Sequence, residues 1–190
     1  MGHRENLLDA ARKCLLQAGY ARTTARDLAA ASGANLASIN YHFGSKDGLL
    51  TQALHDLNVE WGELLFQVLD DGPEPGPDVR AAHEARWARI IESIQAHREL
   101  WFVNFEEVAQ LQRDEKIRAM VAEGQRAARA ALASAFGGVD AEAEPELARA
   151  VGSHYYSLLV GLALQWLTDP DSAPTAAEVV TADHHLTPKA

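Results

Sequence analysis

Residues 34–50 read ANLASINYHFGSKDGLL, a short and modestly apolar helix that ends in Asn-Tyr-His and runs straight into Gly-Ser-Lys. An ordinary packing helix would simply stop before such a polar end. Asn35 is a good N-cap for it, and Ile39 with Phe43 forms an i, i+4 pair placed to pack inward against Leu28 and the first helix. Leu36, Ala37, Ser38, Asn40, Tyr41 and His42 are left on exposed or half-exposed arcs. Small Ala37 and Ser38 would let the helix backbone approach the floor of a DNA major groove. An Asn can pair bidentately with adenine, and Tyr or His can donate to phosphate. Lys46 falls in the first turn of the next helix, whose free N–H groups and dipole already favour an anion. Thr24 stands likewise at the start of the preceding helix. Two readings fit these residues: a phosphate clamp beside a base-reading helix, or a polar rim on a small core with Ser45-Lys46 only a cap.

The flanking sequence supplies the frame. No period-2 run with turn signals occurs, and apolar residues recur at three- and four-residue spacing, so the chain reads as all helical. Leu7, Leu8, Ala11, Leu15 and Ala18 form one face of a first helix that stops at Gly19. Thr24 with Asp27 imitates a capping box for a second short helix. Ser32-Gly33 ends that helix, and the second and third helices together have the dimensions of a helix-turn-helix. Ser45 can cap a long fourth helix ending at GPEPGP, 72–77. Residues 79–135 hold one Gly and no Pro, too long a stretch for a single globular helix, yet without punctuation that would place the breaks. GGVD and AEAEP mark a second loop. An apolar helix is expected from about Pro145 to Leu167, and a last short one from the capping-box spacing of Thr175 and Glu178. The terminal DHHLTPKA reads as frayed.

Bulk composition sets limits. The 190 residues suffice for one or two modest domains and carry a net charge of −10. That total argues against indiscriminate nucleic-acid binding but hides a split. Residues 1–50 hold six Lys/Arg against four acids, a net +2; the remainder holds eleven against twenty-three, a net −12. A mildly basic head on an acidic body favours phosphate contact at one end. A single cysteine, Cys14, excludes an internal disulfide framework and suits a reducing cytoplasm. The N-terminal residues lack signal-peptide character, and the longest apolar run, YYSLLVGLALQWL (155–167), is too short to span a bilayer. A soluble cytoplasmic protein without membrane contact is expected.

The stretch TARDLAAASGANLASINYHFGSKDGLL (24–50) resembles the signature of TetR-type transcriptional repressors. Thr24, Leu28, Ala29, Gly33, His42, Phe43, Ser45, Lys46, Asp47 and Leu49 match it, covering about the first quarter of the chain. Where the family usually has a phosphate-contacting Tyr this chain has Asn40, with Tyr41 one place on; Ile-Asn-Tyr-His-Phe is a minority pattern of the same family. The resemblance implies an all-α protein. Its N-terminal three-helix helix-turn-helix DNA-binding domain, 1–48, would be joined by a long helix to a helical ligand-binding and dimerisation domain, 49–190. It also implies a homodimer on a double-stranded DNA operator, regulated by a small-molecule effector. On this reading Ser38, Asn40 and Tyr41 lie near bases with Leu36 and Ala37 against the groove, and Thr24, Tyr41, His42 and Lys46 hold phosphates.

The C-terminal part is less explicit. YYSLLVGLALQWL is apolar nearly all round, which suits burial in its own core on one side and against a partner on another, or equally a central core helix of a monomer. RELWFVNFEEV (98–108) interleaves large aromatics with polar groups, compatible with a pocket or with plain core. Trp101, Asn104, Phe105 and His154 are the candidate ligand contacts. His184-His185 beside Asp183 has no second cluster to complete a metal site. Adjacent Glu106 and Glu107 point to different helix faces and form a poor acid–base pair. No Gly-rich phosphate loop, nucleophile elbow or metal-ligand spacing occurs, so neither catalysis nor a cofactor is expected. A helical small-molecule-binding protein acting through a protein partner, without DNA, is the alternative.

Overall fold

The computed structural model describes residues 2–70, 78–108, 111, 112 and 114–186. Among them it contains nine helices and no strand: α1 His3–Ala18, α2 Ala25–Ser32, α3 Leu36–Phe43, α4 Lys46–Asp70, α5 Val79–Ala96, α6 Arg98–Val108, α7 Glu115–Gly137, α8 Pro145–Thr168 and α9 Ala176–Leu186. The all-helical reading holds, with a helix-turn-helix near the N-terminus. Residues 72–77, expected as a loop, lie outside the described residues.

The breaks that composition left unplaced fall at His97, between α5 and α6, and before Glu115. His97 leaves the helical region at φ −122° and ψ 43° while its N–H still bonds to the Ser93 carbonyl, so the chain turns there without Gly or Pro. One expectation is corrected: Asp183–Leu186 are not frayed but form the last turn of α9. Thr175 starts that helix with a closed capping box, its hydroxyl and N–H both donating to Glu178 at 2.8 Å, and Val180 anchors it in the core. Residues 187–190 lie outside the described residues.

The chain falls into two compact units, Met1–Trp61 with Glu99–Gly124, and Gly62–Arg98 with Gln125–Ala190. In the first, Leu7, Ala11 and Leu15 of α1 are buried, as are Leu28 of α2, Ile39 of α3 and Leu49, Leu50, Ala53, Leu54 and Leu57 of α4. The stripe expected of α1 is therefore its core face, and Ile39 is the one fully inward residue of α3. Each of these leucines and Ile39 contributes about 1.5–3 kcal/mol by leaving water. From α6, Leu100, Trp101 and Val103 are buried in the same unit.

In the second unit, Trp87, Ile90, Ile91 and Ile94 of α5 are buried, with Leu132, Ala133 and Phe136 of α7 and Leu159, Leu162, Ala163 and Leu167 of α8. Helices α7 and α8 approach closely at Gly152, where a Cβ would stand 2.0 Å from the Arg129 carbonyl oxygen. The Arg98 guanidinium donates to the Trp166 and Leu167 carbonyls at 3.2 and 3.1 Å, placing a cation at the negative end of the α8 dipole.

Candidate DNA interface

The candidate surface is assembled by local rules. Thr24 caps α2: its side chain accepts from the Asp27 N–H at 3.3 Å, while its own N–H and hydroxyl donate to Asp27 at 2.8 and 2.7 Å. These bonds hold the Asp27 carboxyl below the usual carboxylate range. Gly33, in the left-handed region at φ 67°, then reverses the chain at low cost because it has no Cβ. Asn35 opens α3 by accepting from the Ser38 N–H at 2.9 Å, and the Ser38 hydroxyl donates to the same oxygen at 3.1 Å. Gly44 at φ 77° ends it, and Ser45 caps the following helix by accepting from the Gly48 N–H.

With α3 fixed in this way, its side chains sort around the axis. Leu36, Ala37, Asn40 and Tyr41 are exposed and follow one another at i, i+1, i+4 and i+5, a single arc about 140° wide at 100° per residue. Tyr41 is 85 % exposed and Leu36 49 %. Ser38, His42, Ile39 and Phe43 occupy the rest of the circle, and of these Ile39 alone is fully buried while the others are half-buried. His42 stands edge-on to Tyr41 with ring centroids 4.8 Å apart, and Arg4 of α1 reaches over the Phe43 ring at 5.3 Å. Lys46 is half-buried: its ammonium donates to the Thr23 carbonyl at 3.3 Å, lies 3.4 Å from Asp47 and sits 5.8 Å from the Tyr20 ring centroid. Thr24, Tyr41, His42 and Lys46 all belong to the first unit, Tyr41 and His42 on α3 itself and Thr24 and Lys46 at the starts of the helices on either side of it. Thr24 and Lys46 both carry contacts within the protein that a phosphate would have to share.

Of the candidate ligand contacts, Trp101, Asn104 and Phe105 lie on α6 in the first unit and His154 on α8 in the second. Trp101 is buried, edge-on to Trp61 at 5.4 Å and 6.0 Å from Phe105. The Asn104 amide donates to the Leu100 carbonyl one turn back, at 2.8 Å. His154 is exposed, 3.6 Å from Asp183, on an open groove between α8 and α9 that Leu158, Leu162, Pro174 and Val179 also line.

Two residues of α6 tie it to the head and were invisible to sequence reasoning. The Glu106 carboxylate accepts the N–H groups of Tyr20 and Ala21 at 3.0 and 3.1 Å, just beyond the end of α1. Glu107, 3 % exposed, accepts from the Asn58 amide of α4 at 2.5 Å. Burial pushes its carboxyl up to about 7, with the Asn58 bond pulling the other way. Arg12 of α1 and Glu60 of α4 form a further ion pair in this unit.

Residues 7–53 match the family model described as bacterial regulatory proteins, tetR family. No curated protein sequence matches the chain. Among solved structures, the multidrug binding protein EbrR complexed with imidazole is 26 % identical with a TM-score of 0.69, all of this chain and 97 % of that one being covered. A transcriptional regulator from Rhodococcus sp. Rha1 is 19 % identical with a TM-score of 0.70, over 95 % of this chain and 94 % of that one. A tetR-family transcriptional regulator from Streptomyces coelicolor is 22 % identical with a TM-score of 0.62, over 94 % and 77 %.

Proposed function

We propose that the chain, whose residues 7–53 match the model of the tetR family of bacterial regulatory proteins, is a ligand-responsive repressor acting as a homodimer on a palindromic operator. The observation that carries this reading is the exposed arc of α3. Four neighbouring residues, one of them a fully displayed tyrosine, stand free of the core on a helix capped at both ends. In a helix-turn-helix that helix enters the major groove. Ser38, Asn40 and Tyr41 would lie near bases, with Leu36 and Ala37 against the groove wall. Thr24, Tyr41, His42 and Lys46 would hold phosphates and set the register. Residues 1–48 would then read DNA, and 49–190 bind effector and partner.

A second copy would cover the α8–α9 face. Leu164 on α8 is 53 % exposed and Leu186 on α9 is 79 % exposed, beside an apolar groove. Pairing two such helix pairs into a bundle buries these side chains and sets two heads about a two-fold axis, hence the palindrome. EbrR, printed as a multidrug binding protein and solved with imidazole and with proflavin, supports a small-molecule effector. Such an effector acts by binding one arrangement of the heads better than another. Fluorescence anisotropy with DNA from upstream of the protein's own gene, and with sites selected from random sequence, tests the reading. Specific, salt-sensitive binding as a dimer is expected. Binding without sequence preference after selection would contradict it.

A further inference from the structure

Residues 1–50 hold six Lys/Arg, and the fold gives three of them polar partners inside the protein. Arg12 pairs with Glu60, the Arg22 Nε donates to the Ala18 carbonyl at 2.8 Å, and Lys46 is held by the Thr23 carbonyl and Asp47. Lys13 and Arg26 are exposed and make no polar or ring contact among the described residues. Arg4 belongs to neither group. It is exposed and has no ion pair or hydrogen bond among the described residues, yet its guanidinium lies over the Phe43 ring, 5.3 Å from the centroid.

Nothing in α1 itself calls for a cation at this position. Arg4 is the second residue of the helix, where free N–H groups and the dipole favour a negative charge. Glu5 already supplies that charge and accepts the Gly2 N–H at 2.9 Å. Phe43, in turn, is the last residue of α3. At about 100° per residue it falls roughly 20° from Leu36 around the helix axis. It therefore borders the exposed arc of Leu36, Ala37, Asn40 and Tyr41. The contact carries a cation from α1 to the rim of that arc. Because the ring offers a face and no oxygen acceptor, the N–H donors of the guanidinium stay available.

We propose that Arg4 grips a phosphate of the operator backbone beside α3, extending the DNA interface onto α1. This rests on the reading of α3 as the major-groove helix. A helix in that groove has phosphates along both sides, and a cation on the rim of its exposed arc faces one of those walls. The guanidinium fork matches two phosphate oxygens and can keep an aromatic face behind it while doing so. Holding the side chain over Phe43 beforehand reduces the rotamer freedom lost on binding. A backbone contact carries no sequence information, so Arg4 adds affinity for any duplex and leaves selectivity to α3.

The test is fluorescence anisotropy across a salt series, with the selected operator and with a scrambled duplex of equal length. Full-length wild type, Arg4→Met and Arg4→Lys are compared. Methionine keeps an apolar stem over Phe43 and removes the charge. Arg4→Met should bind both duplexes roughly fivefold more weakly at about 0.15 M salt, with the salt slope reduced by about 1. Its Tm should match that of the wild type. Arg4→Lys, which keeps the charge, should keep the slope. An arginine that only fastens α1 to α3 would leave the affinity and slope of Arg4→Met unchanged, and that result would overturn the proposal. A loss confined to the operator, the mark of base reading, would overturn it too, as would a slope reduced equally in Arg4→Lys. Wild-type binding in the same titration separates the two claims. Specific, salt-sensitive binding that Arg4→Met leaves intact removes this inference only, whereas absent wild-type binding removes the regulator reading and this inference with it.

Discussion

Glu106 closes over Gly19: a Cβ at residue 19 would stand 2.2 Å from the Glu106 Oε2 atom, which itself accepts the next residue's N–H. Gly19 also has φ 78°. One glycine thus serves two ends, leaving α1 by a turn unfavourable to other residues and admitting a carboxylate from α6.

Gly19→Ala should therefore be costly, about 2–4 kcal/mol from the positive φ and the displaced carboxylate together. Gly33→Ala is the milder case, since φ 67° with ψ 10° is the ordinary left-handed region, unlike the φ 78°, ψ 173° of Gly19, and nothing lies within 4 Å of the added methyl. It should lose only about 1–2 kcal/mol. Urea unfolding of both variants measures the difference, and equal losses would remove the Glu106 contact from the account.

Glu107 gives stability an inverse pH dependence. Its folded pKa, about 7, exceeds the ordinary 4.5, so the folded protein binds the proton more tightly than the unfolded chain. Stability from this group is greatest below about 4.5 and falls as pH rises towards 7, by roughly 3 kcal/mol in all. Glu107→Gln is neutral at every pH. The difference in Tm between wild type and Glu107→Gln, followed from pH 5 to 8, should shift steadily in favour of the variant; a pH-independent difference would contradict it.

At the DNA, Lys46→Ala should weaken binding to all sequences alike and reduce the salt slope by about 1, as expected for one lost phosphate contact. Asn40→Ala should instead relax preference at one or two base pairs, by roughly 1–3 kcal/mol each. Anisotropy against a panel of single-base variants distinguishes the two.

Leu164→Glu places a charge on the exposed apolar face of α8 without touching the core of the second unit. Sedimentation should find monomers with unchanged helix content, and weaker operator binding should follow. A dimer that survives this change would place the interface elsewhere.

Much of the head was legible because its determinants are local. Thr24 and Asp27, Asn35, Ser45, and Thr175 with Glu178 act within a turn of themselves, so their spacing alone marks helix starts. Gly19 and Gly33 are stops for the same reason. The sorting of α3, with Ile39 inward and Asn40 and Tyr41 outward, follows from a 3.6-residue period. What escaped depends on distant partners or on tertiary packing. Glu106 meets Tyr20 across 86 residues, and nothing near either residue signals the other. His97 breaks α5 from α6 without any helix-breaking residue. Asp183–Leu186 look like a polar tail, yet they continue a helix held at one end by its capping box and docked through Val180.

The most direct test of the central claim is a salt titration of operator affinity for the wild type and for Tyr41→Ala, whose side chain supports nothing in the core. Wild type should bind its selected site specifically, with log affinity falling linearly as log salt rises. Tyr41→Ala, equally stable, should bind that site at least tenfold more weakly. A Tyr41→Ala protein that binds as tightly and as selectively as the wild type would contradict the placement of α3 in the groove.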